Sequence, residues 1–170
     1  MDSLLKRLRE EIISATSGIT GEELTRHPEG KWSAGEVLEH LYLSYTGTVK
    51  GFARCLDARK PLGGRPTPKQ RFQVFVVTGL GYFPSGREAP KVARPKGLPS
   101  EQVLNDIAIQ ITRMDELISQ CEAEYGRSVK LLDHPFLGPL TAQQWRKLHW
   151  LHGRHHLRQI QRLRENPAAN

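Results

Sequence analysis

A chain of 170 residues, 38% hydrophobic and 25% charged, is long enough for one domain with its own buried core. The composition excludes an intrinsically disordered chain, and no apolar run approaches the roughly 18 residues that a membrane-spanning helix needs. A net charge of +7 raises nucleic-acid binding, but the basic excess is spread out and carries no aromatic-and-basic motif, so nucleic acid ranks last among partners.

The N-terminal MDSLLKRLREE sets charges on an amphipathic repeat and has no apolar stretch ending in a small-residue cleavage site. No export signal is expected, and the cytoplasm is the expected location. Residues 3 to 16 carry Leu5, Leu8, Ile12 and Ala15 on one stripe, the mark of a first amphipathic helix. A second helix should run from about Ala34 to about Asp57, opened by the capping box Ser33 and Glu36, with Trp32 placed to clasp Val37.

About forty residues rich in Gly, Pro and basic side chains follow, forming a crossover over residues 58–98. Its one apolar piece, RFQVFVVTGLGYF, fits a short helix or a strand. A connection of that length usually carries function or covers one end of the fold.

The third helix starts near Ser100 and ends near Tyr125, with Val103, Ile107, Ile111, Met114, Leu117 and Ile118 at helical spacing. The fourth repeats the capping device with Thr141 and Gln144 and runs to about Glu165, before Pro167. The fold class expected is all-α: one domain over residues 1–170, a four-helix bundle in which the long crossover lets helices two and three run parallel. Cys55 and Cys121 sit singly in apolar helical contexts, so buried free thiols are expected.

Four of the seven histidines fall in HWLHGRHHLRQIQRL, residues 149–163. At about 100° per residue, His149, His152 and His156 lie within about 60° of one another, on the stripe of Trp145, Ile160 and Leu163. His155 lies at the margin of that stripe. Arg146, Lys147, Arg154, Arg158, Arg162 and Arg164 fall opposite, the expected solvated face. Trp150 and Leu157 form an i, i+7 pair off the main stripe, a dimer surface or a wide core.

A buried imidazole needs a hydrogen bond, a metal or water. The i, i+4 pair His152 and His156 is the spacing that presents two imidazoles to one ion. A third ligand has to come from a facing helix, and the candidate is His40 in WSAGEVLEHL. Ser44, Gly47 and Gly51 follow it nearly in line; their small side chains leave room for a ligand or for another element to approach closely. The bland alternative is a metal-free bundle with hydrogen-bonded core histidines. His149 is a satisfied core histidine or an orienting neighbour, and His134, before Pro135, lines the mouth of the site or belongs to a turn. Glu39 points about 100° away from His40, a poor direction for a general base at that ion. Tyr45 and Tyr82 have no role beyond packing.

With WSAGEVLEHL, then HPFLGPLTAQQW, then HGRHHLRQI in order, the chain resembles the DinB/YfiT-like superfamily of bacterial proteins over most of its length, least in the crossover. The resemblance implies an up-down-down-up four-helix bundle and a divalent metal ion held by His40, His152 and His156. Where that superfamily often ends in His-Arg-Gly-Gln, this chain has His156-Leu157-Arg158-Gln159, a departure that leaves the ligand positions intact. Its characterised enzymes are chiefly thiol-dependent S-transferases and isomerases. The leading expectation is therefore an ion, zinc before nickel, iron or manganese, that activates a low-molecular-weight thiol toward a small electrophile. The runner-up is a non-catalytic metal-binding or stress-response protein, and a homodimer is compatible with either.

Overall fold

The computed structural model describes residues 1–27, 29–81 and 88–165. Helix α1 spans Ser3–Thr16, the short α2 Gly21–Thr25, α3 Ala34–Asp57, α4 Pro68–Val74, α5 Ser100–Tyr125 and α6 Ala142–Glu165. Strands β1, Leu132–His134, and β2, Gly138–Leu140, form an antiparallel hairpin that pairs Leu132 with Leu140 and His134 with Gly138. The described chain is thus mostly helical, with one small two-stranded sheet. No helix in it is long and apolar enough to cross a membrane.

The four expected helices begin where their local signals place them, and α1, α3 and α5 also end there; α6 runs to the last described residue, Glu165. Ser33 Oγ accepts from the Glu36 N–H while the Glu36 carboxylate accepts from the Ser33 N–H, closing the box that starts α3. Thr141 and Gln144 do the same for α6. Helix α5 stops at Gly126, whose φ of 100° favours glycine. The short α2 was not expected, although Thr20 and Glu23 form a third such box.

Helix α3 lies alongside α5 with like ends together. Gly35 at the start of α3 sits beside Ser100, while at the far ends the Cys121 thiol and the Tyr125 hydroxyl donate to the Phe52 and Cys55 carbonyls. Helix α6 runs the other way along α3: Trp145 meets Phe52, and His152 meets His40. Helix α1 follows α6, with Arg7 over Trp150, Gly153 against Leu8 and Arg164 donating to the Ala15 carbonyl. The core between them holds Leu5, Leu8, Ile12, Leu38, Leu41, Tyr45, Phe52, Ile107, Ile111, Met114, Ile118 and Ile160. Both cysteines are buried and unlinked.

The apolar piece of the crossover is helical: α4 continues into a π-turn over Phe75–Gly79. Its end, with Tyr82, and Pro167 lie outside the described residues. Leu157 is buried and Trp150 packs against the core, so this pair belongs to a wide core.

The arginine face is corrected at two positions. Arg158 and Arg162 are exposed, as expected. Arg146 is instead buried, held by Asp115 at 3.2 Å, Glu122 at 2.6 Å and Ser119 Oγ at 2.8 Å. Arg164 is tied to Glu23 at 3.0 Å. Helix α5 supplies the acids for Arg146 and α2 the acid for Arg164, which helical phase on α6 alone could not reveal.

Candidate metal centre

Helices α3 and α6 bring His40, His152 and His156 together, as expected, with one nitrogen of each within 4.8 Å of the others. His40 Nε2 and His152 Nε2 are 3.1 Å apart. Two nitrogens each about 2.0–2.1 Å from a tetrahedral ion stand roughly 3.3 Å apart, so this pair fits a shared ion with little movement. The His40 ring meets the His156 ring edge-on at 4.8 Å between centroids.

Two of the outward nitrogens, those of His40 and His156, are held by partners. His40 Nδ1–H donates to the Ala93 carbonyl at 2.7 Å, which leaves Nε2 as the bare lone pair facing the triad. His156 Nδ1 is paired with Gln159 Oε1 at 3.1 Å, which leaves its Nε2 for the same centre. Outer partners of this kind orient ligating imidazoles.

Neither partner was expected. Ala93 contributes only backbone, from a 3-10 turn over Lys91–Ala93 in the crossover, and nothing in its side chain announces it. Gln159 was visible in the terminal motif at one helical turn from His156. Glu39 helps in a different way from the one considered: its buried carboxylate accepts from the Lys96 N–H at 2.6 Å and the Gly97 N–H at 3.1 Å. Adjacent residues of α3 thus pin the crossover at 93 and at 96–97.

The electrostatics favour ligands over cations. Burial, then the neighbouring histidines, holds His152 well below the ordinary histidine range, and burial followed by His40 holds His156 down to about 3. Burial also lowers His40, against the opposing pull of the Ala93 carbonyl. Imidazoles kept neutral are the form that binds a metal.

The triad opens into a cavity of about 570 Å³ between α3, α4, α6, the hairpin and the crossover. Trp32 stands at the triad, 5.3 Å from the His40 ring. His134 lines the cavity from the hairpin, its Nδ1 accepting from the Phe136 and Leu137 N–H groups, so it serves both roles considered for it. His155 also lines it and meets the His156 ring edge-on. His149 is a core histidine: it stacks on Trp145, and its Nε2 pairs with Thr48 Oγ1 at 2.9 Å.

Gly47 and Gly51 of α3 divide the alternatives open for them. A Cβ on Gly51 would collide with Leu132, so this glycine admits the hairpin, whereas a Cβ on Gly47 meets nothing within 4 Å and faces the cavity. Gly47→Ala is expected to raise stability by up to about 1 kcal/mol, the helix-propensity gain. Gly51→Ala should gain less, because the Leu132 side chain has to move aside and offsets the propensity gain. Urea denaturation measures both, and a gain in Gly51→Ala equal to that in Gly47→Ala would refute the distinction.

The buried imidazoles outside the triad set a pH dependence. Burial, then His134, brings His149 down to about 3, and burial brings His134 down to about 4. Both values lie below the ordinary 6.5, so the unfolded chain binds more protons as the pH falls below about 6.5. Their contribution is complete above that pH and is lost progressively toward pH 3–4. For His149 the loss between about pH 6.5 and about pH 5 is about 2 kcal/mol. Chelator-treated protein should show a lower urea midpoint at about pH 5 than at about pH 7, and His149→Gln should reduce the difference without abolishing it, because His134 and the metal-free triad still contribute. Equal midpoints in the unsubstituted protein would mean that these imidazoles are not held neutral.

No curated protein and no solved structure matches the sequence. The family model described as a protein of unknown function, DUF1569, matches residues 10–163, and the chain belongs to that family.

Proposed function

We propose that this DUF1569 protein holds a divalent metal ion on His40, His152 and His156 and uses it on a small molecule, with transfer of a low-molecular-weight thiol to a small electrophile as the leading reaction. The observation that carries this reading is the preset triad. Two outer nitrogens are fixed by Ala93 and Gln159, so the remaining nitrogens converge, at the end of a cavity large enough for a cosubstrate. Bound there, the ion would supply Lewis acidity and favour the deprotonated form of a thiol or water at the position the histidines leave open. The chain's part is to keep the imidazoles neutral, orient them through Ala93 and Gln159, and exclude water with the apolar walls around Trp32, Val77 and Leu148.

Imidazole ligands and a three-residue set suit zinc first, with nickel, iron or manganese as alternatives. The same reading places the chain in the DinB/YfiT-like superfamily as an up-down-down-up four-helix bundle. Its support is the parallel course of α3 with α5 and of α1 with α6, together with the reversal between α3 and α6. The two unlinked buried thiols support a reducing cytoplasmic setting.

Elemental analysis of untagged protein is the first test, with about one divalent ion per chain expected. A panel of low-molecular-weight thiols with a haloaromatic electrophile is the second, with turnover expected to disappear on chelation and return with metal. Stoichiometric metal without turnover for any thiol would leave a non-catalytic metal-binding protein. Absence of metal would sink both accounts and leave a bundle with hydrogen-bonded core histidines.

A further inference from the structure

The cavity beyond the triad is long. The α3 residues that line it run from His40 through Ser44, Gly47 and Gly51 to Arg54, an axial distance of about 21 Å at roughly 1.5 Å per residue. A volume of about 570 Å³ lies within the range for a single small ligand, roughly 300–1,000 Å³. Drawn out along α3, it suits an extended occupant better than a round one.

Its two ends differ in chemistry. The triad and Trp32 form one end. At the other, Leu132, Phe136 and Trp145 supply apolar walls and Arg54 supplies a guanidinium. Two carboxylates also line the cavity, and each has a partner elsewhere: Asp133 accepts from the Gly64 N–H, and Glu88 pairs with Arg94. Arg54 enters no ion pair among the described residues, so at that end its guanidinium is the charged donor left to meet an occupant, while the Asp133 carboxylate is turned to the Gly64 N–H.

We infer that the cavity binds an elongated, largely apolar small molecule with an anionic group at the end remote from the triad. Arg54 holds the anion, the apolar walls hold the body, and the opposite end of the molecule lies at the three histidines. The inference rests on the metal reading only for which end reacts; the binding itself depends on the cavity and Arg54.

Calorimetric titration of the full chain with butanoate, octanoate and octanol tests it, with metal content measured on the same samples. Octanoate should bind at least about tenfold more tightly than butanoate, because each added methylene is removed from water. Arg54→Gln, at an exposed position, should weaken octanoate about tenfold and leave octanol unchanged. Gly47→Leu, whose added side chain enters the cavity without a backbone clash, should weaken octanoate and octanol alike.

Butanoate binding as tightly as octanoate, or octanol losing as much as octanoate in Arg54→Gln, overturns the inference. The two readings fail separately. A wild-type protein without metal that still shows the chain-length and Arg54 effects removes the metal reading and keeps this one. A metal-loaded protein that shows neither effect does the reverse.

Discussion

Replacing His152 with alanine is expected to reduce bound metal from about one ion per chain to under about a tenth, because two imidazoles cannot hold a site built for three. The residue is central: its Nε2 lies 3.1 Å from that of His40, and its ring stands 4.7 Å from that of His156, centroid to centroid. Gln159→Ala should behave differently. It frees the outer nitrogen of His156 without removing a ligand, so affinity should fall by about 10–100-fold while saturation remains attainable. His155→Ala should keep wild-type stoichiometry, since His155 stands at the edge of the triad and no nitrogen of it joins the converging set.

Thermal unfolding gives an independent readout. An ion that binds the folded chain at a hundred times its Kd adds about 2.7 kcal/mol, so added metal should raise the midpoint of wild type and of His155→Ala but not of His152→Ala. Retention of full stoichiometry by His152→Ala, or equal loss in His155→Ala, would dismantle the triad assignment.

The difference between His152 and His155 was legible from helical phase, because phase is a local property of α6. The helix limits were legible for the same reason: the boxes at Ser33 and Glu36 and at Thr141 and Gln144 are hydrogen-bond pairs between residues three apart in sequence. His40 was recoverable because its own helix has a clear apolar face that the α6 stripe could be set against.

What stayed hidden depended on partners distant in the chain. Ala93 reaches His40 through a carbonyl, a group every residue carries, and only the folded crossover selects which one. Gly47 and Gly51 look alike in sequence, yet one faces the cavity and the other touches Leu132, because the hairpin that separates their roles lies eighty residues on. The hairpin itself is too short for an alternating pattern to declare it.

Arg146 is the sharpest example of the same limit, and its substitution should have the largest effect on stability. Arg146→Met is expected to cost about 3–5 kcal/mol, because it leaves buried carboxylates without their counter-charge. Asp115 is the more sensitive of the two. Its side chain is 4% exposed, one oxygen lies 3.2 Å from Arg146 Nε, and the other accepts from the Asp2 N–H at 2.7 Å, so the network also ties the start of α1 to α5. Glu122, with 21% of its side chain exposed, retains some access to water and should contribute less.

At roughly 2–4 °C per kcal/mol for a chain of this size, the midpoint should fall by about 10 °C. Adding Asp115→Asn and Glu122→Gln to Arg146→Met should recover part of the loss, because the uncompensated charge, more than the missing attraction, sets the cost. A loss below about 1 kcal/mol would be the mark of an exposed ion pair and would return Arg146 to the solvated face that phase on α6 alone assigns to it. A large loss that the two neutralising substitutions do not relieve would instead make the packing of the arginine stem, and not its charge, the stabilising element.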